Sequence, residues 1–181
     1  NEKSGYSKQM VYLDKALFFV DKFETMQLVK LEDLHKGAFN ELCCKLNSRH
    51  SSKISVYKHQ NNDYDYFEAF GLIRNQSNQP GIPTDSATIY SIDVLAIEDD
   101  PEGKPGVVDL YPETPKIIID NLNYSISDLH YTETNLNNIE KKLLFISNTD
   151  FIKDQFSIYI RENSEFVLDT IIITPDYARS I

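Results

Sequence analysis

Residues 155–174 read QFSIYIRENSEFVLDTIIIT, two apolar stretches on either side of a short polar segment. The stretches 155–161 and 166–174 are rich in isoleucine and aromatic residues, which favour strands. The polar segment between them, residues 162–165, has the composition of a tight turn. Pro175 ends the pattern, because proline cannot continue a paired strand. These residues predict an antiparallel hairpin at the C-terminal end of the chain.

Further strands are predicted upstream of this hairpin. Residues 53–58 and 64–74 flank the polar turn HQNND and predict another hairpin. Residues 75–85 are predicted to be a loop, since they contain two prolines and a glycine and no apolar periodicity. In 87–97 the apolar residues recur at every second position and form one face of a strand: Tyr90, Ile92, Val94 and Ala96.

Shorter segments complete this strand-rich part. Strands are expected at 107–111, at 116–120 and at 124–129. Thr134 has the side chain of a helix N-cap, so a short helix is expected from Thr134 to Leu143.

The N-terminal part has a different periodicity. Between residues 10 and 27, apolar residues recur at the spacing of one helical face: Leu13, Ala16, Leu17, Val20 and Phe23. A second set repeats the spacing: Leu31, Leu34, Ala38, Leu42 and Leu46. Helices followed by antiparallel strands predict an α+β fold. We therefore expect two N-terminal helices packed on a mainly antiparallel sheet, with the C-terminal β-hairpin.

Length and composition predict one domain. The 181 residues are 41% hydrophobic, enough to bury a core. The prediction is a single α+β domain over 1–181, with a helical part at about 10–48 and a strand-rich acidic part at about 53–175. The longest apolar run, 16–20, is too short to cross a bilayer, so no membrane span is expected.

The cysteine pattern gives an expectation about location. Cys43 and Cys44 are adjacent, which is unlike the spaced cysteines of a disulfide framework. Two reduced thiols are the simpler interpretation, and they predict a cytoplasmic protein.

Charge is distributed unevenly along the chain. Residues 1–60 contain ten basic and seven acidic side chains, whereas residues 61–181 contain eight and twenty-one. The net charges are therefore +3 and −13, which make up the formal total of −10. An acidic field of this size repels nucleic acid and attracts basic proteins from a distance. We therefore expect a basic protein partner and no direct nucleic-acid binding.

Motifs for catalysis are weak. No phosphate-binding glycine loop, dinucleotide fingerprint or nucleophile elbow is present, and no cofactor is predicted. Two hydrolase alternatives remain: Cys43 or Cys44 acting with His50 or His59, and an Mg²⁺-dependent site in the acidic loop 98–102. The spacing in that loop does not match a known calcium-binding loop, so no metal site is predicted. Enzymatic activity is therefore the less favoured interpretation.

A tyrosine-rich acidic segment, NNDYDYFEAF at 61–70, indicates a recognition surface. Tyrosine provides contact area at low entropic cost, and carboxylates steer a basic partner. Together with the acidic loop it yields the predicted binding residues: Asp63, Tyr64, Asp65, Tyr66, Glu98, Asp99, Asp100 and Glu102. We expect a non-enzymatic, immunity-like inhibitor that docks a basic protein. A structural domain of a larger assembly is the third alternative, and the sequence does not determine the oligomeric state.

Overall fold

The computed structural model describes ten segments: residues 10–13, 16–20, 26–30, 40–41, 49–60, 65–75, 86–98, 108–122, 126–149 and 154–174. Within these segments all regular structure is β-strand, arranged as three antiparallel sheets. The expected α+β class is therefore wrong, and the described chain is all-β. None of the described residues forms a helix long and apolar enough to cross a membrane.

Sheet A replaces the first predicted helix. Its strands are β1 (Met10–Leu13), β2 (Ala16–Val20), β3 (Met26–Lys30) and β4 (Asn40–Glu41). They are hydrogen-bonded in the order β1-β2-β3-β4. The second predicted helix falls mostly on residues outside the described segments, and its described part, Asn40–Glu41, is a strand. The predicted helical part at about 10–48 is thus contradicted wherever the structure describes it.

The first helix prediction is wrong because β2 is apolar along its whole length. Its sequence ALFFV contains five consecutive apolar residues, which satisfy a helical and an extended period equally well. Ala16 and Phe18 are buried, while the residues that alternate with them, Leu17 and Phe19, are half-buried. This alternation is the period of a strand with one face on a core.

Sheet B contains the central strands. They are β5 (Arg49–Gln60), β6 (Asp65–Asn75), β7 (Ser86–Glu98), β8 (Val108–Pro112) and β9 (Lys116–Leu122). Strands β5 to β8 follow one another across the sheet. Strand β9 pairs with the first part of β7, whereas β8 pairs with its last part. The hairpin predicted from 53–58 and 64–74 is confirmed, as is the strand predicted at 87–97.

Sheet C consists of β10 (Ile126–Leu136), β11 (Ile139–Thr149), β12 (Asp154–Glu162) and β13 (Glu165–Thr174), in that order. The C-terminal hairpin is confirmed with Glu162 opposite Glu165. The helix expected from Thr134 to Leu143 is wrong. Asn137 and Asn138 adopt φ angles of 54° and 63°. Adjacent asparagines with positive φ make the two-residue turn that joins β10 to β11.

Sheet B is the middle layer. One core packs its residues, including Phe67, Ile92 and Val94, against Phe18 and Leu28 of sheet A. A second core packs its opposite face against sheet C, with members such as Phe70, Ile89, Tyr131 and Leu144. Successive residues of β6 therefore enter different cores, because strand side chains alternate between faces.

Gly71 permits a close contact inside the first core. A Cβ atom at this position would lie 2.3 Å from Tyr90 Oη and 2.4 Å from Tyr90 Cζ. Tyr90 is 2% exposed, so its ring is enclosed by the first core. The Tyr90 ring thus covers Gly71 at the position where the two residues pair across β6 and β7.

Candidate functional site

Three of the eight predicted binding residues lie in described strands. Asp65 begins β6, opposite Gln60 and Ala96, and Tyr66 follows it, opposite His59 and Leu95. Glu98 is the last residue of β7 and pairs with Val108. The other five, Asp63, Tyr64, Asp99, Asp100 and Glu102, lie outside the described residues.

The register of sheet B brings the described candidates to one end of the sheet. Asp65 pairs with Ala96, which is two residues before Glu98. Because neighbouring strands are antiparallel, the β5–β6 and β7–β8 connections both attach at this end. The start of β6 and the end of β7, which border the two acidic segments, are therefore neighbours.

Sheet C adds carboxylates at the same end. His59, one residue from the end of β5, contacts Glu133 near the end of β10. The turn after β10 leads to Glu140, and the β12–β13 turn is flanked by Glu162 and Glu165. All three of these glutamates are exposed. We call this end of the molecule, defined by Asp65, Glu98, Glu140, Glu162 and Glu165, the acidic end.

A cluster of ionisable side chains joins sheets B and C just below the acidic end. Arg161 Nη1 donates a hydrogen bond of 2.7 Å to Glu68 Oε2, and His59 Nε2 lies 3.1 Å from the same oxygen. The other ring nitrogen, His59 Nδ1, is 3.3 Å from Glu133 Oε1. Lys142 Nζ lies 3.2 Å from that oxygen as well. We refer to these five residues as the intersheet ion cluster.

Aromatic rings surround the imidazole of this cluster. Tyr66 stacks on His59 with ring centroids 4.4 Å apart, and Tyr57 meets His59 edge to face. The hydroxyl of Tyr131 donates a hydrogen bond of 2.8 Å to Glu133 Oε1. Burial, followed by this hydrogen bond, raises the pKa of Tyr131 far above its usual range. Tyr131 therefore stays protonated and acts as a donor to Glu133.

The pKa of Glu68 reflects two opposing effects. Burial raises this pKa, since only 2% of the residue is exposed. The hydrogen bonds from His59 and Arg161 outweigh burial, and the net pKa lies below its ordinary value of 4.5. Glu68 is therefore ionised at neutral pH and is held by two donors from opposite sides of the intersheet contact.

The intersheet ion cluster is better placed to hold sheets B and C together than to catalyse a reaction. A histidine between two carboxylates has the composition of an acid–base pair. However, only 9% of the His59 side chain and 2% of the Glu68 side chain are exposed, so both groups present little surface to a substrate. Glu68 Oε1 is buried and has no hydrogen-bond partner within the described structure. The cluster fixes sheet C against sheet B, and Ser55 adds a hydrogen bond from Tyr131 N at 3.0 Å.

The alternative catalytic sets are not assembled in the described segments. Cys43 and Cys44 lie outside them, and His59 is committed to the intersheet ion cluster. Lys116 Nζ binds Asp93 Oδ2 at 2.9 Å and Glu113 Oε2 at 3.6 Å. Among described residues, no group of three histidines, cysteines or carboxylates has the geometry of a metal site.

Sequence reasoning missed several residues of this region. Glu133, Arg161, Glu162 and Glu165 were not among the predicted binding residues, and Tyr66 is packed on His59 rather than fully open. A usable signal was present at the C-terminal turn, where two glutamates flank a predicted hairpin loop. Comparisons with protein-family models, curated proteins and solved structures found no match for this chain.

Proposed function

We propose that this protein is a non-enzymatic, immunity-like binding protein that docks a basic protein through its acidic end. The observation that carries the proposal is the collection of carboxylates from separate hairpins at one end of two joined sheets. Glu162 and Glu165 are directly opposite each other and exposed. Like charges in such a pair repel, so they destabilise the free protein. A basic partner relieves this repulsion.

Two cations near the acidic end, Arg161 and Lys142, are already engaged. Arg161 binds Glu68, and Lys142 binds Glu133 and lies 3.6 Å from Glu140 Oε1. Of these carboxylates, Glu68 is buried and Glu133 is half-buried, whereas Glu140 is exposed. The exposed carboxylates of Glu162 and Glu165, beside the β12–β13 turn, give this end a negative potential toward solvent.

We further propose that the binding residues predicted from sequence extend this acidic surface. Asp65 and Glu98 border the β5–β6 and β7–β8 connections at the acidic end. Asp63, Tyr64, Asp99, Asp100 and Glu102 belong to those connections in the sequence. With Tyr66, they supply aromatic contact area and further charge for a basic partner.

Charge complementarity of this kind acts mainly on the association rate and is screened by salt. We therefore expect a basic protein from the source cell's lysate to be retained by the immobilised protein at low salt and released at high salt. Mass spectrometry then identifies it, and binding is remeasured with the purified partner. No retained protein, or a partner whose affinity is insensitive to salt, contradicts the proposal.

Two isosteric double variants localise the surface. Glu162→Gln with Glu165→Gln removes two charges from the acidic end. Glu113→Gln with Asp120→Asn removes two exposed charges from β9 of sheet B and the segment before it. The first pair weakens partner binding and reduces its salt dependence, while the second leaves both unchanged. In the predicted loop, Asp99→Lys with Asp100→Lys abolishes binding without unfolding the protein. Equal effects of the two neutralised pairs contradict the assignment of the surface.

A further inference from the structure

The outermost strand of sheet C has an apolar surface that the proposed function does not use. Strand β13 pairs with β12, and no other described strand pairs with it. Its large apolar residues are exposed by between 44% and 59%: Val167, Leu168, Ile171, Ile172 and Ile173. An edge strand of this kind presents a row of backbone donors and acceptors to an incoming strand.

A β-bulge divides β13 into two unequal segments. Leu168 pairs with Tyr159 and Thr170 with Ile158, so Asp169 is the extra residue. Bulges and charged residues discourage pairing along an edge. Residues 165–169 contain Glu165, Asp169 and the bulge, and they are poorly suited to accept a strand. Residues 170–174 read TIIIT, carry no charge and keep regular pairing with β12.

The segment 170–174 is complementary to itself in an antiparallel orientation. A two-fold axis at Ile172 places Ile172 opposite Ile172 of a second copy, Ile171 opposite Ile173 and Thr170 opposite Thr174. Cross-strand pairs of β-branched residues stabilise such an arrangement. We propose that two copies of this chain associate through antiparallel pairing of β13 with β13, centred on Ile172.

The faces of the two sheets match in this arrangement. Ile171 pairs with Ser157, which is buried with the core-facing side chains of β12, whereas Ile172 pairs with Phe156 on the outer face. An axis perpendicular to the sheet keeps the core-side and outer faces of both copies aligned. The two four-stranded sheets thus become one continuous sheet of eight strands. The contact is closed, because both copies use the same surface.

Electrostatics select this register over one centred on the bulge. Each copy carries a formal charge of −10, so association must keep carboxylates apart. With the axis at Ile172, Asp169 of one copy is six positions from Asp169 of the other, or about 20 Å along the strands. That separation exceeds the Debye length of about 8 Å at physiological ionic strength. A register centred on Asp169 would instead place the two Asp169 residues directly opposite each other.

Analytical ultracentrifugation across the micromolar range, at low and at high salt, tests the association. We expect dimers whose fraction increases with concentration and does not fall at high salt, since salt screens the repulsion between the acidic copies. Ile172→Lys places two like charges at the axis and yields a monomer. Val167→Lys is the matched control, because Val167 is 46% exposed and Ile172 47%, and both lie on the outer face. The control remains dimeric.

Cysteine cross-linking tests the register in a Cys43→Ser, Cys44→Ser background. Ile172→Cys forms a disulfide-linked dimer on mild oxidation, because directly opposed residues lie within disulfide range. Val167→Cys does not, since the two Val167 positions are about 33 Å apart along the strands. A wild-type protein that is monomeric throughout the micromolar range overturns the proposal. Equal cross-linking at the two positions, or equal loss of dimer in the two lysine variants, also overturns it.

This association goes beyond the proposed docking function and is separable from it. Ile172→Lys leaves the carboxylates of the acidic end unchanged, so it keeps salt-sensitive binding of a basic partner. Glu162→Gln with Glu165→Gln weakens partner binding but keeps the dimer. High salt weakens binding of the basic partner and does not weaken the dimer. Failure of one proposal is therefore recognised independently of the other.

Discussion

Replacing Arg161 with leucine removes the shorter of the two contacts that hold the buried carboxylate of Glu68. The leucine retains apolar contact with the neighbouring Phe166 ring, over which the guanidinium lies at 5.4 Å. Glu68 keeps its contact with His59 at 3.1 Å, so it loses one of two donors rather than both. The expected result is a folded protein of lower stability, with an underpaired carboxylate between sheets B and C.

The magnitude follows from burial. A hydrogen bond to a charged group contributes about 1.5–3 kcal/mol, and breaking a fully buried ion pair costs about 3–5 kcal/mol. The Arg161 side chain is 23% exposed, so solvent screening reduces the upper value. We expect a loss of about 2–3 kcal/mol in the free energy of unfolding. For a chain of this length, that corresponds to a decrease of about 4–12 °C in Tm.

Urea denaturation of Arg161→Leu, Glu68→Gln and the double variant measures the coupling between the two residues. In the Glu68→Gln background, Arg161→Leu is expected to cost less than about 1 kcal/mol, because no buried charge is left unpaired. Lys142→Leu is the matched control on the neighbouring strand. Its side chain is 38% exposed, so its bond to Glu133 contributes at most about 1 kcal/mol. The reasoning is refuted if Arg161→Leu costs the same with and without the Glu68 carboxylate.

Three further experiments have defined outcomes. The pKa of Glu68 is lowered in the folded protein, so its carboxylate stabilises the fold fully above the ordinary pKa, and this stabilisation is lost as pH falls through the lowered pKa. Urea denaturation from about pH 5 to about pH 3 should therefore show a narrowing difference in stability between wild type and Glu68→Gln. A difference that does not change with pH would contradict this. Gly71→Ala should cost about 1–3 kcal/mol in urea denaturation, because the new methyl group overlaps the buried Tyr90 ring; an unchanged midpoint would show that the ring can move. Asn138→Val should lower the free energy of unfolding by about 1–2 kcal/mol, since a β-branched residue is strained at a φ of 63°. Asn138→Gly should retain the wild-type Tm. Equal Tm values for the two variants would contradict a role for the positive φ angle at this turn.

The strands that could be predicted are those with one dominant period or a clear turn. In β7, Tyr90, Ile92 and Val94 alternate with polar residues, and all three enter the first core. The ENSE turn separates two stretches that pair in the expected hairpin. In these segments local preference and tertiary structure agree, so the sequence pattern suffices.

The N-terminal prediction failed because local periodicity was ambiguous there. Apolar residues at Leu13, Ala16, Leu17 and Val20 fit a helical face, but the adjacent Phe18 and Phe19 make an extended strand equally apolar. The short strands β1, β2 and β3 gain their stability from packing on sheet B, which local sequence does not reveal. In β10–β11, Thr134 has the side chain of a helix N-cap, and this predicted a helix where the Asn137–Asn138 turn joins two strands.

The intersheet ion cluster could not be predicted for a different reason. Its members come from five strands and are separated by up to 102 positions, from His59 to Arg161. Tyr66 and Glu68 are two positions apart in β6, so they share one strand face, and both contact His59. Whether that face meets solvent or a second sheet depends on the packing of sheet C, which no residue of β6 encodes alone.

The order of strands also affects how the chain reaches its native state. Every strand pairing that the structure describes joins sequence neighbours, apart from that of β7 with β9. Pairing between neighbours closes short loops and loses little chain entropy. Each sheet can thus form from its own turns, whereas the two cores require distant segments to meet. We expect docking of the outer sheets onto sheet B to limit the folding rate, and hairpin formation to precede it.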